Sequence, residues 1–218
     1  MYVPKPKCVA ALLVRNEAGE DRYLKRILAN CALFCDEIVV LDDHSTDETV
    51  ALCKAAEKVV VVESTESQEG GWWKGGSEFR ARQQLWALAC KHAGPDGWVY
   101  VVDADQELLG IAPEEFHELL HSEVVDCWAF PLWDCWESDQ WQRIDGHWKA
   151  WAFPRVWLAR ALPGAWNDRG IHTGHLPARN WTPGNAPMGC GIAHYGYIRR
   201  EHRKAKMDKY LELGVLSD

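Results

Sequence analysis

Four short apolar runs constrain this chain more than any other feature. Lys7–Val14 (KCVAALLV), Ile38–Leu41 (IVVL), Val59–Val62 (VVVV) and Trp98–Val102 (WVYVV) are continuous and rich in β-branched residues, without the alternation of a half-exposed strand. Between them lie segments of helical spacing. Tyr23–Cys35 places Tyr23, Leu24, Ile27, Leu28, Cys31 and Phe34 on one face; Thr49–Ala56 continues from a cluster of turn and cap residues; Glu78–His92 offers Phe79, Leu85, Trp86 and Leu88 for packing. Strands that are apolar on both faces and joined by helices predict an α/β fold, a Rossmann-like αβα sandwich with a mostly parallel central sheet. Polar, glycine-rich Glu63–Gly76 reads as a loop, and Gly94-Pro95-Asp96-Gly97 as a turn.

The alternation stops after Pro113. A short helix is expected at Pro113–His121, followed by the apolar Val124–Phe130, strands near His147–Phe153 and a long loop over Gly164–Gly191. This second half is dominated by tryptophan: the chain has 13, and eight of them fall between Trp128 and Trp166. Some must be core, but an indole also offers a flat apolar face with one N–H donor, suited to stacking on a sugar or a base. A chain of 218 residues with 47% hydrophobic content has enough apolar surface for one substantial core. We therefore expect one domain over 1–218, with halves at 7–110 and 111–198 and a basic helix over 199–218. That helix carries Arg199, Arg200, Arg203, Lys204, Lys206 and Lys209 at helical spacings.

Several classes are disfavoured by composition. A net charge of −8 does not suit a protein that wraps nucleic acid by broad charge neutralisation, although it leaves room for the local basic patch. No apolar run approaches the ~20 residues that span a bilayer, and MYVPKPKC has no apolar segment behind its lysines, so a cytoplasmic protein is expected. The eight cysteines are scattered through apolar segments without CxxC spacing and read as buried free thiols.

The chemistry is expected beyond the carboxyl ends of the strands, where ligands of open α/β sheets sit. Asp42-Asp43 follows the second run and Asp103-Ala104-Asp105 the fourth. Two aspartates one residue apart are costly to hold together unless something positive lies between them. A divalent cation is the usual solution. Hard oxygen ligands favour Mg²⁺ or Mn²⁺, ions that keep positions open for substrate phosphates.

Three motifs share one order. Leu13-Val14-Arg15-Asn16-Glu17, Asp42-Asp43-His44-Ser45-Thr46-Asp47-Glu48-Thr49 and Val101-Val102-Asp103-Ala104-Asp105-Gln106-Glu107 together resemble the family 2 glycosyltransferases of GT-A fold, over roughly residues 7–110. The resemblance implies a metal-dependent, inverting transfer from a nucleotide diphosphate sugar, with UDP-sugar favoured. It implies that Asp43 contacts the base and that Arg15 and Glu17 frame it. Asp103 would face ribose or metal, Asp105 would ligate the metal, and Arg82, in Phe79-Arg80-Ala81-Arg82, would lie near the donor. His194, in Gly191-Ile192-Ala193-His194-Tyr195, would be the third metal ligand.

The chain departs from the family at the catalytic base, where Thr173 stands in place of an expected glutamate. Asp168 and His172 are the candidates there, with Asp134, Glu137 and Asp145 as further ones. The Trp128–Trp166 stretch and the loop to His175 would form the acceptor wall. The acceptor stays open: a surface glycan, a lipid-linked sugar, a protein side chain, or a hydroxylated nucleobase, against which the overall acidity counts. Two other readings remain: a nucleotidyltransferase, whose usual Gly-rich loop is replaced here by Arg15-Asn16-Glu17-Ala18-Gly19, and a carbohydrate-binding scaffold without activity.

Overall fold

The computed structural model describes residues 5–66, 78–146, 148–166 and 174–212. Its elements, in chain order, are β1 (Cys8–Val14), α1 (Leu24–Phe34), β2 (Glu37–Asp42), α2 (Thr49–Ala55), β3 (Val59–Ser64), α3 (Glu78–Ala93), β4 (Trp98–Asp103), β5 (Gln106–Leu109), α4 (Pro113–Leu120), β6 (Cys127–Phe130), β7 (Leu132–Asp134), β8 (Arg155–Arg160), β9 (Pro183–Asn185), β10 (Gly191–His194) and α5 (Arg200–Glu212). A seven-stranded sheet runs β3-β2-β1-β4-β8-β6-β9, and a three-stranded sheet runs β5-β10-β7. The large sheet is mostly parallel, as expected; β8 alone pairs antiparallel, with β4 on one side and β6 on the other.

The period-2 geometry of a strand explains why β1 is apolar throughout. Cys8, Ala10, Leu12 and Val14 point into a core shared with Leu24, Ile27, Leu28 and Cys31 of α1 and Phe116 of α4. Val9, Ala11 and Leu13 point to the opposite face, against Ala81, Leu85 and Ala89 of α3. Every residue of β1 is buried. Trp98 and Trp157 join the first core and Trp86 the second, so part of the tryptophan content is structural. All eight cysteines are free, and only Cys90 is not fully buried.

The structure differs from the expectation in three places. The strands expected near His147–Phe153 are not there among the described residues: Ala150–Ala152 form a single 3-10 turn, His147 lies outside the described residues, and the strand is β8 further on. Trp151 and Phe153 are exposed, so their aromatic character reflects the surface rather than a pleated, half-buried face. Two of the expected loops contain strand. Strand β3 continues through Glu63 and Ser64, which pair with Leu41 and Asp42; an edge strand tolerates such polar residues. Within Gly164–Gly191 lies β9, which pairs parallel with β6 and opens on Pro183, a residue that fits an edge strand because it lacks an N–H. The rest of the Glu63–Gly76 loop from residue 67 onward lies outside the described residues.

In the order β3-β2-β1-β4, the connections from β1 run one way across the sheet and β4 lies on the other side, so the switch point is between β1 and β4. There Leu13 is in register with Asp103. The acidic end of β4 and the loop after β1 therefore open into one crevice.

Candidate active site

The loop after β1 is rigid because the turn residues after β2 are bonded to it. The Asn16 N–H donates to Ser45 Oγ (2.9 Å), the Glu17 N–H to Thr49 Oγ1 (2.7 Å) and the Ala18 N–H to Asp47 Oδ2 (3.1 Å). In return the Thr46 N–H donates to Asn16 Oδ1 at 2.8 Å. Asp47 also accepts from the Thr49 N–H at 3.0 Å, an Asx turn just ahead of α2. Asn16 takes a left-handed φ of 53°, a conformation that asparagine tolerates better than most residues. The run Ser45–Thr49 thus acts as a brace for Arg15 and Glu17.

Asp43 is completely buried. Its carboxylate accepts from Arg15 Nη1 (3.0 Å) and from Thr65 Oγ1 (2.9 Å). Arg15 lines the crevice between β1 and β4, a cavity of ≈ 1190 Å³, whereas Asp43 is not among its described lining residues. Glu17 lines it too, and burial pushes its carboxyl up to about 7, against the opposing charge of Arg22.

Asp103, at the end of β4, is gripped from two sides. Arg82 Nη2 donates to Oδ1 (2.8 Å), and His175 Nε2 (3.3 Å) and Gln106 Nε2 (3.3 Å) approach Oδ2. Gln106 is in turn fixed by the indole N–H of Trp157, at 3.1 Å from its Oε1. Burial works against the Asp103 charge, but Arg82 and His175 hold the carboxyl well below the usual range. Arg82 is itself buried, with Nε 3.4 Å from Glu78 and with Nη1 making no hydrogen bond among the described residues. A buried guanidinium N–H without an acceptor, on a residue that lines the cavity, suits a ligand oxygen.

His194, at the end of β10, sits between two carboxylates. Its Nδ1 is 2.8 Å from Asp134 Oδ1, and its Nε2 is 3.4 Å from Asp105 Oδ2. Burial opposes a charge on the ring, yet Asp105 and the hydrogen bonds to Asp105 and Asp134 raise its pKa to about 9. Asp105 is correspondingly lowered, against its own burial, chiefly by His194. The expected metal trio is therefore divided: Asp105 and His194 face each other, while Asp103 belongs to the Arg82–His175 network. Among the described residues, no group of three or more His, Cys, Asp or Glu side chains is clustered to hold an ion. The Asp105–His194 pair does fit two adjacent positions of an octahedral ion. Donors with bonds of ~2.1 Å sit ~3 Å apart there, and Asp134 behind the ring is the carboxylate that orients a metal-binding histidine.

Two contacts of this site are not expected from the sequence: His175, expected only as the end of the acceptor-wall loop, lies on Asp103, and Gln106 lies between Asp103 and Trp157; Asp134 is expected only as a candidate base. Asp168, His172 and Thr173 lie outside the described residues. Of the other base candidates, Asp134 lines the cavity and is committed to His194. Asp145 is exposed and paired with Arg143, and Glu137 is exposed.

Fold and site together define an α/β protein with an open, mostly parallel sheet and a carboxylate-lined crevice at its switch point. The chain is similar to an uncharacterized glycosyltransferase of Rickettsia bellii, 26% identical over 120 residues, which are 55% of this chain and 35% of that one. It thus spans about a third of the length of that relative. Among solved structures it is similar to TarS of S. aureus in complex with UDP, with a TM-score of 0.45 and 20% identity over 64% of this chain and 38% of that one. It is also similar to glucosyl-3-phosphoglycerate synthase of Mycobacterium tuberculosis in complex with Mn²⁺, UDP and glucosyl-3-phosphoglycerate, with a TM-score of 0.39 and 20% identity over 59% and 44% of the two chains. No protein-family model matches the chain. Among the described residues, no helix is long and apolar enough to cross a membrane.

Proposed function

We propose that this chain carries the nucleotide-sugar site of a metal-dependent inverting glycosyltransferase of GT-A type, acting on a UDP-sugar. The observation that carries this reading is the convergence, in one crevice at the switch point, of Asp103 held by Arg82 and of the Asp105–His194–Asp134 line. Residues 7–110 form the donor half and 111–198 the acceptor half. Asp105 and His194 would hold Mn²⁺ or Mg²⁺, with Asp103 on the ribose or joining them; the ion would neutralise the departing diphosphate as a Lewis acid.

The chain's own residues supply the rest. Arg15 and Glu17, braced by Ser45–Thr49, frame the nucleoside next to the Arg15–Asp43 pair. Arg82, whose Nη1 has no partner among the described residues, would offer it to a donor oxygen while holding Asp103 ionised. A single displacement needs no enzyme nucleophile, only a base for the acceptor hydroxyl on the face away from the diphosphate. Asp168 and His172 are the residues proposed for it. The acceptor is a hydroxyl on a glycan, a lipid-linked sugar or another hydroxylated molecule.

A screen of nucleotide sugars with Mn²⁺, reading thermal stabilisation and then release of UDP, tests this. UDP-sugars should stabilise the chain and be slowly hydrolysed, and EDTA should abolish both. Full donor turnover in excess EDTA would refute the metal-dependent reading, and absence of binding to any nucleotide sugar would refute the donor reading.

A further inference from the structure

Two features of the sequence have no chemical step assigned to them in the proposed transfer: much of the tryptophan-rich segment, which lies in the acceptor half, and the basic α5. The structure brings them together. Arg203 of α5 lies 4.4 Å from the ring centre of Trp136, and Lys206 of α5 lies 4.3 Å from that of Tyr197. Trp136 and Trp148 pack edge to face, and Arg143 sits over both. Arg203 also donates to the carbonyls of Tyr197 and Ile198, and His202 contacts Asp21 at 2.7 Å, so the helix is anchored along its inner face.

What faces outward is different in kind. On α5, Arg200, Lys204, Met207 and Leu211 recur at i, i+4, i+7 and i+11, and all four are exposed, Met207 by 54%. On the segment joined to it, Trp141 is 71% exposed and Phe153 68%, with Ile144 and Trp151 exposed beside them in sequence. Exposed apolar side chains are ordinary singly, but a set of them in a segment packed against a basic helix marks a candidate interaction surface. The cavity is lined both by α5, through Lys206 and Asp208, and by Ala150 next to Trp151, so this surface borders its mouth.

We propose that this face docks on an anionic phospholipid surface, with the α5 cations on the headgroups and the aromatic and aliphatic side chains at the headgroup–acyl boundary. Charge supports a negatively charged partner: Arg200 and Lys204 face outward on a helix whose five lysines and arginines outnumber Glu201, Asp208 and Glu212, in a chain of net charge −8, and juxtamembrane lysines and arginines are attracted to anionic leaflets. The apolar composition supports lipid over nucleic acid. Ile144, Met207 and Leu211 offer nothing to a base. Trp141, Trp151 and Phe153 could stack on bases as well as enter a headgroup layer, but the exposed aliphatic side chains near them suit only the latter, and Trp136 and Trp148 already carry Arg143. Exposed tryptophan beside basic residues is the pattern found at membrane–water interfaces. Docking here would hold the cavity mouth against the bilayer, where a lipid-borne hydroxyl would enter.

Co-sedimentation with vesicles tests this without donor or acceptor, so its result is independent of the transfer reaction. The chain should bind phosphatidylcholine vesicles containing phosphatidylglycerol and ignore pure phosphatidylcholine, with binding lost in high salt. Arg200→Gln with Lys204→Gln, neither in the cavity, should weaken binding about fivefold per charge removed, on the order of 25-fold for the pair. Met207→Ser with Leu211→Ser should weaken it at low salt as well, with an unchanged melting temperature. No binding of the parent chain to anionic vesicles would overturn the proposal, and so would equal binding to neutral ones or a charge-removed variant that binds like the parent. Tighter binding to a single-stranded oligonucleotide than to the vesicles would overturn it in favour of nucleic acid.

Discussion

Asp134 holds His194 from behind: Oδ1 of the aspartate lies 2.8 Å from Nδ1 of the ring, which leaves Nε2 directed at Asp105. The two residues end neighbouring strands, and their register is fixed because β10 pairs with β7 through His194 and Asp134 themselves. A ring committed at Nδ1 in this way presents Nε2 as the donor atom to an ion.

Asp134→Ala should therefore weaken Mn²⁺ binding by about 10- to 100-fold while leaving the sheet assembled, since the backbone pairing of β7 does not need the carboxylate. Asp134→Asn, which can still accept from Nδ1–H, should recover part of the loss. Isothermal titration with Mn²⁺ checks this; equal affinity for parent and Ala variant would show that Asp134 does not serve an ion site.

Arg82 is buried against two carboxylates, Asp103 and Glu78. Replacing it with Met keeps most of the volume and removes the charge that holds Asp103 ionised. Removing one partner of a buried ion pair costs about 3–5 kcal/mol. Urea denaturation should show a loss of that order for Arg82→Met, and a much smaller one for Arg82→Lys. A Met variant within about 1 kcal/mol of the parent would mean that His175 and Gln106 suffice for Asp103.

Much of this was legible in the sequence, for a physical reason. Strands of a parallel sheet covered on both faces must be apolar throughout, so β1, β2 and β4 stand out as unbroken runs and their ends mark Asp43, Asp103 and Asp105. The small sheet was not legible. Strand β7 has three residues and β5 and β10 four each, too short to show a period, and their pairing joins distant parts of the chain. The same distance hid the partners of the site residues: His175 lies 72 positions from Asp103, and Asp134 60 from His194. A histidine or aspartate leaves no local trace of such a partner, and His194 itself was singled out through the family resemblance rather than through its own neighbours.

Glu17 gives a pH dependence of definite sign. Its carboxyl rises from an ordinary 4.5 to about 7 in the folded chain because burial disfavours the charge. The folded chain then binds more protons than the unfolded chain between those values, so stability falls as pH rises through that window. Above it, the ionised Glu17 burdens the fold by on the order of 1–3 kcal/mol. Glu17→Gln should raise the melting temperature near pH 8, with the gain shrinking towards about pH 4.5. A gain independent of pH would assign the effect to packing instead.

Asp43 and Arg15 make separable predictions about donor binding. Asp43 is fully buried, while Arg15, bonded to it, lines the cavity. Asp43→Ala removes an acceptor from both Arg15 and Thr65, which should lower stability by about 1–3 kcal/mol. If Asp43 takes a base N–H, or fixes Arg15 so that the base can seat, UDP affinity should fall as well. Arg15→Ala should reduce UDP affinity by direct loss of a wall of the site. Calorimetry with UDP and Mn²⁺ on both variants, beside their melting curves, distinguishes the roles. A loss confined to Arg15→Ala would transfer base recognition from Asp43 to Arg15. UDP binding unchanged in both would place the nucleoside elsewhere than beyond the end of β1.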